Sequence, residues 1–259
     1  MPDAVDAAAA LRAASRFGPY FTWDSYDGSG SWRPLRDLLD DNVVAERVAA
    51  ARETLIRMSG LAPAEVAERV VASITFLGLA SRLVSPPLGA VVAGGALPRV
   101  EADRMWWRAV EGGPMPIAWR DLAATGCSGP DAAAVLTDEV IRGLVEPVLA
   151  VFRRRFRLSD HVLWGNVASA LGGAAGMIGG AGPEAAAERA AMIVQAALRR
   201  APLRGTATLE RPDPGRARWF LVRRNCCLYY RLPGGGTCGD CVLTPEEVRR
   251  QQWQSALRR

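Results

Sequence analysis

Residues 223–241 read Arg-Arg-Asn-Cys-Cys-Leu-Tyr-Tyr-Arg-Leu-Pro-Gly-Gly-Gly-Thr-Cys-Gly-Asp-Cys, and this stretch separates two kinds of chain. Upstream of it apolar residues recur at helical spacing. Within it Pro233 to Gly236 supplies the permissive backbone that lets a chain reverse, bringing Cys238 and Cys241 beside Cys226 and Cys227. The expected fold class is therefore α+β: a predominantly helical body with a small sheet, followed by a short C-terminal β-hairpin-like module built around four thiols.

Working outward, Arg218 to Val222 is strand-like, and Thr244-Pro245-Glu246-Glu247 fits a capping box with proline at the first helical position. Residues 201–217 hold Pro202, Gly205, Pro212, Pro214 and Gly215 and read as a linker or long loop. The expected organisation is a helical body over 1–200, this linker, and a cysteine module with a terminal helix over 218–259. In the body, Asp40 or Asp41 caps a helix that ends before Gly60, and Pro63 opens a second through Val66, Val70, Ile74 and Leu77. A long helix from Pro130 is expected to kink at Pro147, with others starting at Ser159 or Asp160 and near Pro183. Tyr20 to Trp23, Val91 and Val92, Met105 to Trp107 and Ile117 to Trp119 read as short strands.

A chain of 259 residues buries a full core without help from a metal, so the thiols are not needed merely to hold a small fold together. The first 14 residues lack the features of a secretory signal. Pro86 to Pro98 and Val167 to Pro183 are interrupted apolar stretches below the roughly 20 residues of a membrane span. A cytoplasmic protein is expected, a peripheral position at the inner face of the membrane being compatible. Reduced thiols in such a compartment favour metal over disulfide, and the five cysteines are an odd number.

Spacing leaves the metal open. Zinc sites with four cysteines usually pair two C-x-x-C-like knuckles, which the adjacent Cys226-Cys227 fits poorly. A two-iron cluster tolerates more varied spacing, and a thiol redox pair is the remaining alternative. A Rieske centre needs two histidines and the chain has one, His161. Successive strand residues face opposite sides, so both adjacent sulfurs reach one centre only through a bulge or turn. Charge adds a second clue. From Leu198 onward there are 13 arginines and 5 carboxylates, and the chain has no lysine. This basic end fits phosphate attraction, compensation of an anionic cluster, or a solvated surface.

The run Arg223 to Leu232, the glycines and Cys238-Gly239-Asp240-Cys241 together resemble the C-terminal signature of the FhuF-like ferric siderophore reductases, with C-C-x10-C-x2-C spacing. Leu163-Trp164-Gly165-Asn166 with Val167 to Leu171 is also similar to a segment of that family. Asp240 and Val242 depart from it, since relatives often carry small polar residues and proline there. The resemblance implies a 2Fe-2S cluster on Cys226, Cys227, Cys238 and Cys241 and one-electron reduction of a ferric siderophore of hydroxamate type. It also implies a reduced donor (a ferredoxin, flavodoxin or reductase), and neither a nucleic-acid partner nor a membrane span.

Arg223, Arg224 and Arg231 are candidates for tuning the cluster or docking substrate or donor. The glycines at 234–236 and 239 serve the turn, with N–H donation to sulfur as a second role. His161 in a first helical turn and the remote Cys127 have no assigned role. Trp106, Trp107 and Trp119 read as strand aromatics rather than a siderophore pocket, Trp164 reads as core, and Gly172 to Gly182 reads as close helix packing or a helix end. Two other functions remain compatible with the residues: a four-cysteine zinc protein that binds nucleic acid, and a non-enzymatic iron–sulfur sensor of iron or redox state.

Overall fold

The computed structural model describes residues 6–110, 113–127, 129 and 131–258. Among the described residues eight α-helices run in chain order: α1 (Ala7–Ser15), α2 (Asp41–Ser59), α3 (Glu68–Gly94), α4 (Asp131–Val135), α5 (Glu146–Phe156), α6 (Asp160–Ala181), α7 (Glu184–Leu198) and α8 (Glu246–Leu257). As expected, Asp40 caps α2 by accepting from the Asn42 and Val43 N–H groups, and Gly60 ends it with φ 69°. Ser159 caps α6 through Val162 N–H.

The axis of the molecule is α3, which packs against α1, α2, α5, α6 and α7. Pro63 lies in a separate 3-10 turn, Pro63–Glu65, and α3 begins only at Glu68. Val91 and Val92, expected in a strand, lie in α3, which continues through Pro86 and Pro87. Proline at 86 removes the N–H that the Arg82 carbonyl would accept four residues back. Trp23 Nε1 donates to that carbonyl at 2.9 Å, so a tertiary donor replaces the lost helical one. The buried Arg82 guanidinium in turn donates to the carbonyls of Pro19, Tyr20, Thr22 and Met115 and fastens α3 to the strand layer. Desolvation lowers its pKa to about 10.

The two helices α3 and α6 are long and apolar enough by length and composition to cross a membrane, unlike the interrupted runs expected from sequence. In this fold 78% and 61% of their most apolar windows are buried. The predicted helix start at Pro130 lies outside the described residues. Between α4 and α5 the chain is π-helical over Leu136–Val145, and the Glu146 N–H bonds Ile141 O, five residues back. Pro147 thus sits in the first turn of α5, and a change of helical register takes the place of a simple kink.

Strands β1 (Asp24–Ser25), β2 (Arg33–Pro34), β4 (Met105–Trp107) and β5 (Ile117–Trp119) form a sheet in the order β1-β5-β4-β2. Only the β1–β5 pair is parallel. Tyr20, expected in a strand, belongs to a 3-10 turn, Pro19–Phe21, just ahead of β1. Trp107 is fully buried and is core, while Trp106 stacks on Tyr26 at 3.8 Å. Two antiparallel pairs complete the fold: β3 (Ala96–Pro98) with β6 (Ala124–Gly126), and β7 (Ala207–Glu210) with β8 (Phe220–Arg223). The stretch 201–217 therefore contains a strand, β7, that gives β8 its partner. The C-terminal hairpin is β7–β8, which precedes the cysteines, and the cysteines themselves lie in turns.

Candidate metal centre

Strand β8 ends at Arg223, and the backbone bends through Arg224 and Asn225, so Cys226 and Cys227 lie outside the ladder, as two adjacent sulfurs serving one site require. Leu228 follows with φ 72°, and a 3-10 turn spans Tyr229–Arg231. Gly234 and Gly236 have φ 75° and 68°, and Gly235 N–H bonds Leu232 O. The chain then returns to a tight turn in which Cys241 N–H bonds Cys238 O. The capping box does not form. Thr244 bonds Thr237 through its hydroxyl, and α8 starts after Pro245 without a side-chain cap. Arg249 of α8 donates to Cys241 O and Thr244 O, and Trp253 stacks on Phe220, so α8 clamps the cysteine segment from outside.

Cys227 and Cys241 are buried, and Cys226 and Cys238 half-buried. The close sulfur pair is Cys227–Cys238 at 3.5 Å. Two thiolates bound at about 2.3 Å with tetrahedral angles stand about 3.7 Å apart, so this pair is spaced for one metal. It joins one cysteine from each half of the segment rather than the two C-x-x-C neighbours. Among the described residues no three Cys, His, Asp or Glu gather tightly enough to hold one ion.

Hydrogen bonds to sulfur come from the N–H groups of Leu228, to Cys226 Sγ at 3.2 Å, and of Leu243, to Cys241 Sγ at 3.4 Å. The sulfur donors are these leucines, and the glycines make the turns. The bond from Cys238 brings the Cys227 thiol pKa down, and the same contact and burial push that of Cys238 up. Burial raises Cys226.

The helical body supplies the floor of the site. Ser73 of α3 donates to Cys227 O at 2.8 Å. Asn166 of α6 donates to Ser73 O and Oγ at 2.9 and 3.0 Å and accepts from Arg223 Nη2 at 2.5 Å. Asn166 thus satisfies a backbone carbonyl and also grips the arginine. Ser169 of α6 donates to Asp240 Oδ2 at 2.5 Å, and Asn225 donates to the His161 carbonyl. A Cβ on Gly165 would lie 2.0 Å from Asn225 Oδ1, and one on Gly172 would lie 2.6 Å from Leu221 Cβ. At Gly165 and Gly172 the C-terminal segment thus lies directly against the helix.

Of the three arginines, only Arg223 turns inward, at 1% exposure; Arg224 and Arg231 are exposed, and Arg231 donates to Tyr230 Oη. His161 is exposed and joins the site by its carbonyl alone. Cys127 is buried apart from the four, lining a cavity of about 510 Å³ with Val91, Arg189 and Ile193, where desolvation raises its thiol pKa. Ser73 and Ser169 were not read from the sequence. Their one signal is a hydroxyl on an otherwise apolar helix stretch.

The donor set can be tested for a cluster. Four thiols, two N–H···S bonds and a buried guanidinium whose Nε and Nη1 lack partners describe a site for a polyanionic sulfur centre. Residues 223–243 match the family model of the FhuF 2Fe-2S C-terminal domain. The matched segment begins at Arg223 and holds all four cysteines, and the cofactor it indicates is a 2Fe-2S cluster. The likeness covers the cysteine segment; Leu163 to Leu171 and the rest of the helical body lie outside it. No curated protein matches the chain.

Proposed function

We propose that this chain is a cytoplasmic ferric-siderophore reductase that takes one electron from a reduced donor protein and delivers it to the iron(III) of a hydroxamate-type siderophore. The observation that carries the reading is the similarity of residues 223–243 to the FhuF 2Fe-2S domain. Cys226, Cys227, Cys238 and Cys241 would hold the cluster, which supplies one-electron transfer with little rearrangement. Hard oxygen ligands hold iron(III) tightly and iron(II) far less, so the electron releases the substrate metal. The half-buried Cys226 and Cys238 keep one edge of the site near solvent, where a bulky complex and a donor approach. Exposed Arg231 places positive charge near Cys226 and favours an acidic donor or an anionic ligand group there, while Arg224 lines a separate groove beside β7.

Anaerobically purified protein is expected to contain iron and acid-labile sulfide in equal amounts. With reductant, a ferric trihydroxamate and a ferrous chelator, it should yield captured iron(II), and Cys238→Ser should abolish that release. Zinc in place of iron, or equal release by the variant, would overturn the proposal.

A further inference from the structure

Arg223 is a permanently charged side chain at 1% exposure, and among the described residues no carboxylate pairs with it. One of its nitrogens is held by Asn166 Oδ1, while Nε and Nη1 have no partner. Asn166 has no freedom to turn away. Its Nδ2 is committed to Ser73, whose hydroxyl bonds the Cys227 carbonyl, so its oxygen must face the guanidinium. The backbone N–H of Arg223 meanwhile bonds Asp240 O, next to Cys241. The arginine is thus tied by its backbone to one half of the cysteine segment and by its side-chain network to the other.

A guanidinium out of water without a paired anion is strongly unfavourable, and besides the Asp240 carboxylate, which Ser169 holds, the anions this location provides are the thiolates. The guanidinium is linked through Asn166 and Ser73 to the Cys227 carbonyl, and the Arg223 N–H is linked to the residue preceding Cys241, so the buried charge sits between the two halves of the thiol segment. A fixed positive charge favours the state holding one more electron, and its effect grows where water is excluded. Exposed Arg224 and Arg231 are screened by salt instead.

We propose that Arg223 is the internal counter-charge that raises the reduction potential of the cysteine-bound cluster, with Asn166 and Ser73 as the positioning residues that hold it there. This rests on the 2Fe-2S reading and extends the site into α3 and α6, outside the matched segment.

The test is the midpoint potential of the full-length holoprotein, measured by spectroelectrochemistry. Arg223→Met is expected to lose at least tenfold in the one-electron reduction equilibrium, a negative shift of about 59 mV or more. Asn166→Asp, which neutralises the arginine without removing it, should shift the same way. Arg224→Met and Arg231→Met should shift less, and their effect should fade in high salt. If Arg223→Met fails to retain its cluster, Asn166→Asp decides the matter. Equal potentials in wild type, Asn166→Asp and any loaded Arg223→Met would overturn the inference. A wild-type protein without an iron–sulfur spectrum would remove its basis. Shifted potentials without siderophore turnover would support the counter-charge while sinking the reductase reading.

Discussion

At the scale of single residues the site is a balance of two opposite charges, both fixed by α6. Asn166 holds Arg223, and Ser169 holds the Asp240 carboxylate beside Cys241. By the same sign argument Asp240→Asn should move the cluster potential upward, opposite to Arg223→Met, in the same electrochemical measurement. Gly165 is where α6 makes room for Asn225. A methyl group there would force Asn225 off the His161 carbonyl, and Gly165→Ala is expected to cost about 1–3 kcal/mol and lower iron occupancy. Denaturant unfolding and iron content would show it. The cysteines and Arg223 stand out as candidate residues in the sequence because unusual spacing and adjacent charge are visible along the chain. Ser73 and Ser169 do not, since a hydroxyl in an apolar helix bonds outward or to its own backbone with equal ease, and nothing local names its partner.

At the scale of elements, the caps of α2 and the strands Met105–Trp107 and Ile117–Trp119 followed from local chemistry: a carboxylate before a helix, a glycine after it, aromatic residues on short extended runs; that the two strands pair with each other is seen only in the fold. The reading failed at α3 for a physical reason. Two prolines and nearby glycines mark a break when only the chain's own N–H groups are counted. Trp23, 59 positions from Arg82, supplies the donor that Pro86 withholds. Trp23→Phe should therefore destabilise the protein by about 1–3 kcal/mol by leaving a buried carbonyl unpaired, besides any loss of packing. A parallel Asp40→Ala variant, which removes an ordinary cap, should cost about 1 kcal/mol. Equilibrium unfolding of the two variants measures both. The capping box at Thr244 failed because Thr237 and the Cys241 turn claim the threonine and fix the backbone there.

At the scale of the whole molecule, the cysteine segment is a set of turns laid between a deeply buried helix pair and the terminal helix α8. Its ties to the body are the bonds from Ser73 and Ser169 and the packing of Leu228, Tyr229 and Leu232 against the core, whereas α3 and α6 bury most of their most apolar windows. Stripping the metal should leave these two helices protected, while amide exchange rises sharply over 224–245; exchange mass spectrometry of the holo and stripped protein tests this. Uniform loss of protection across the chain would show instead that the centre holds the entire fold together. Sequence alone determined the helical body, the four thiols and the bend that two adjacent cysteines require, because those depend on local periodicity, spacing and backbone permissiveness. Only the tertiary structure decided which arginine turns inward and what holds it. Ser73 and Cys227 are 154 positions apart, and a buried charge finds its partners only when helices, strand and turns have packed together.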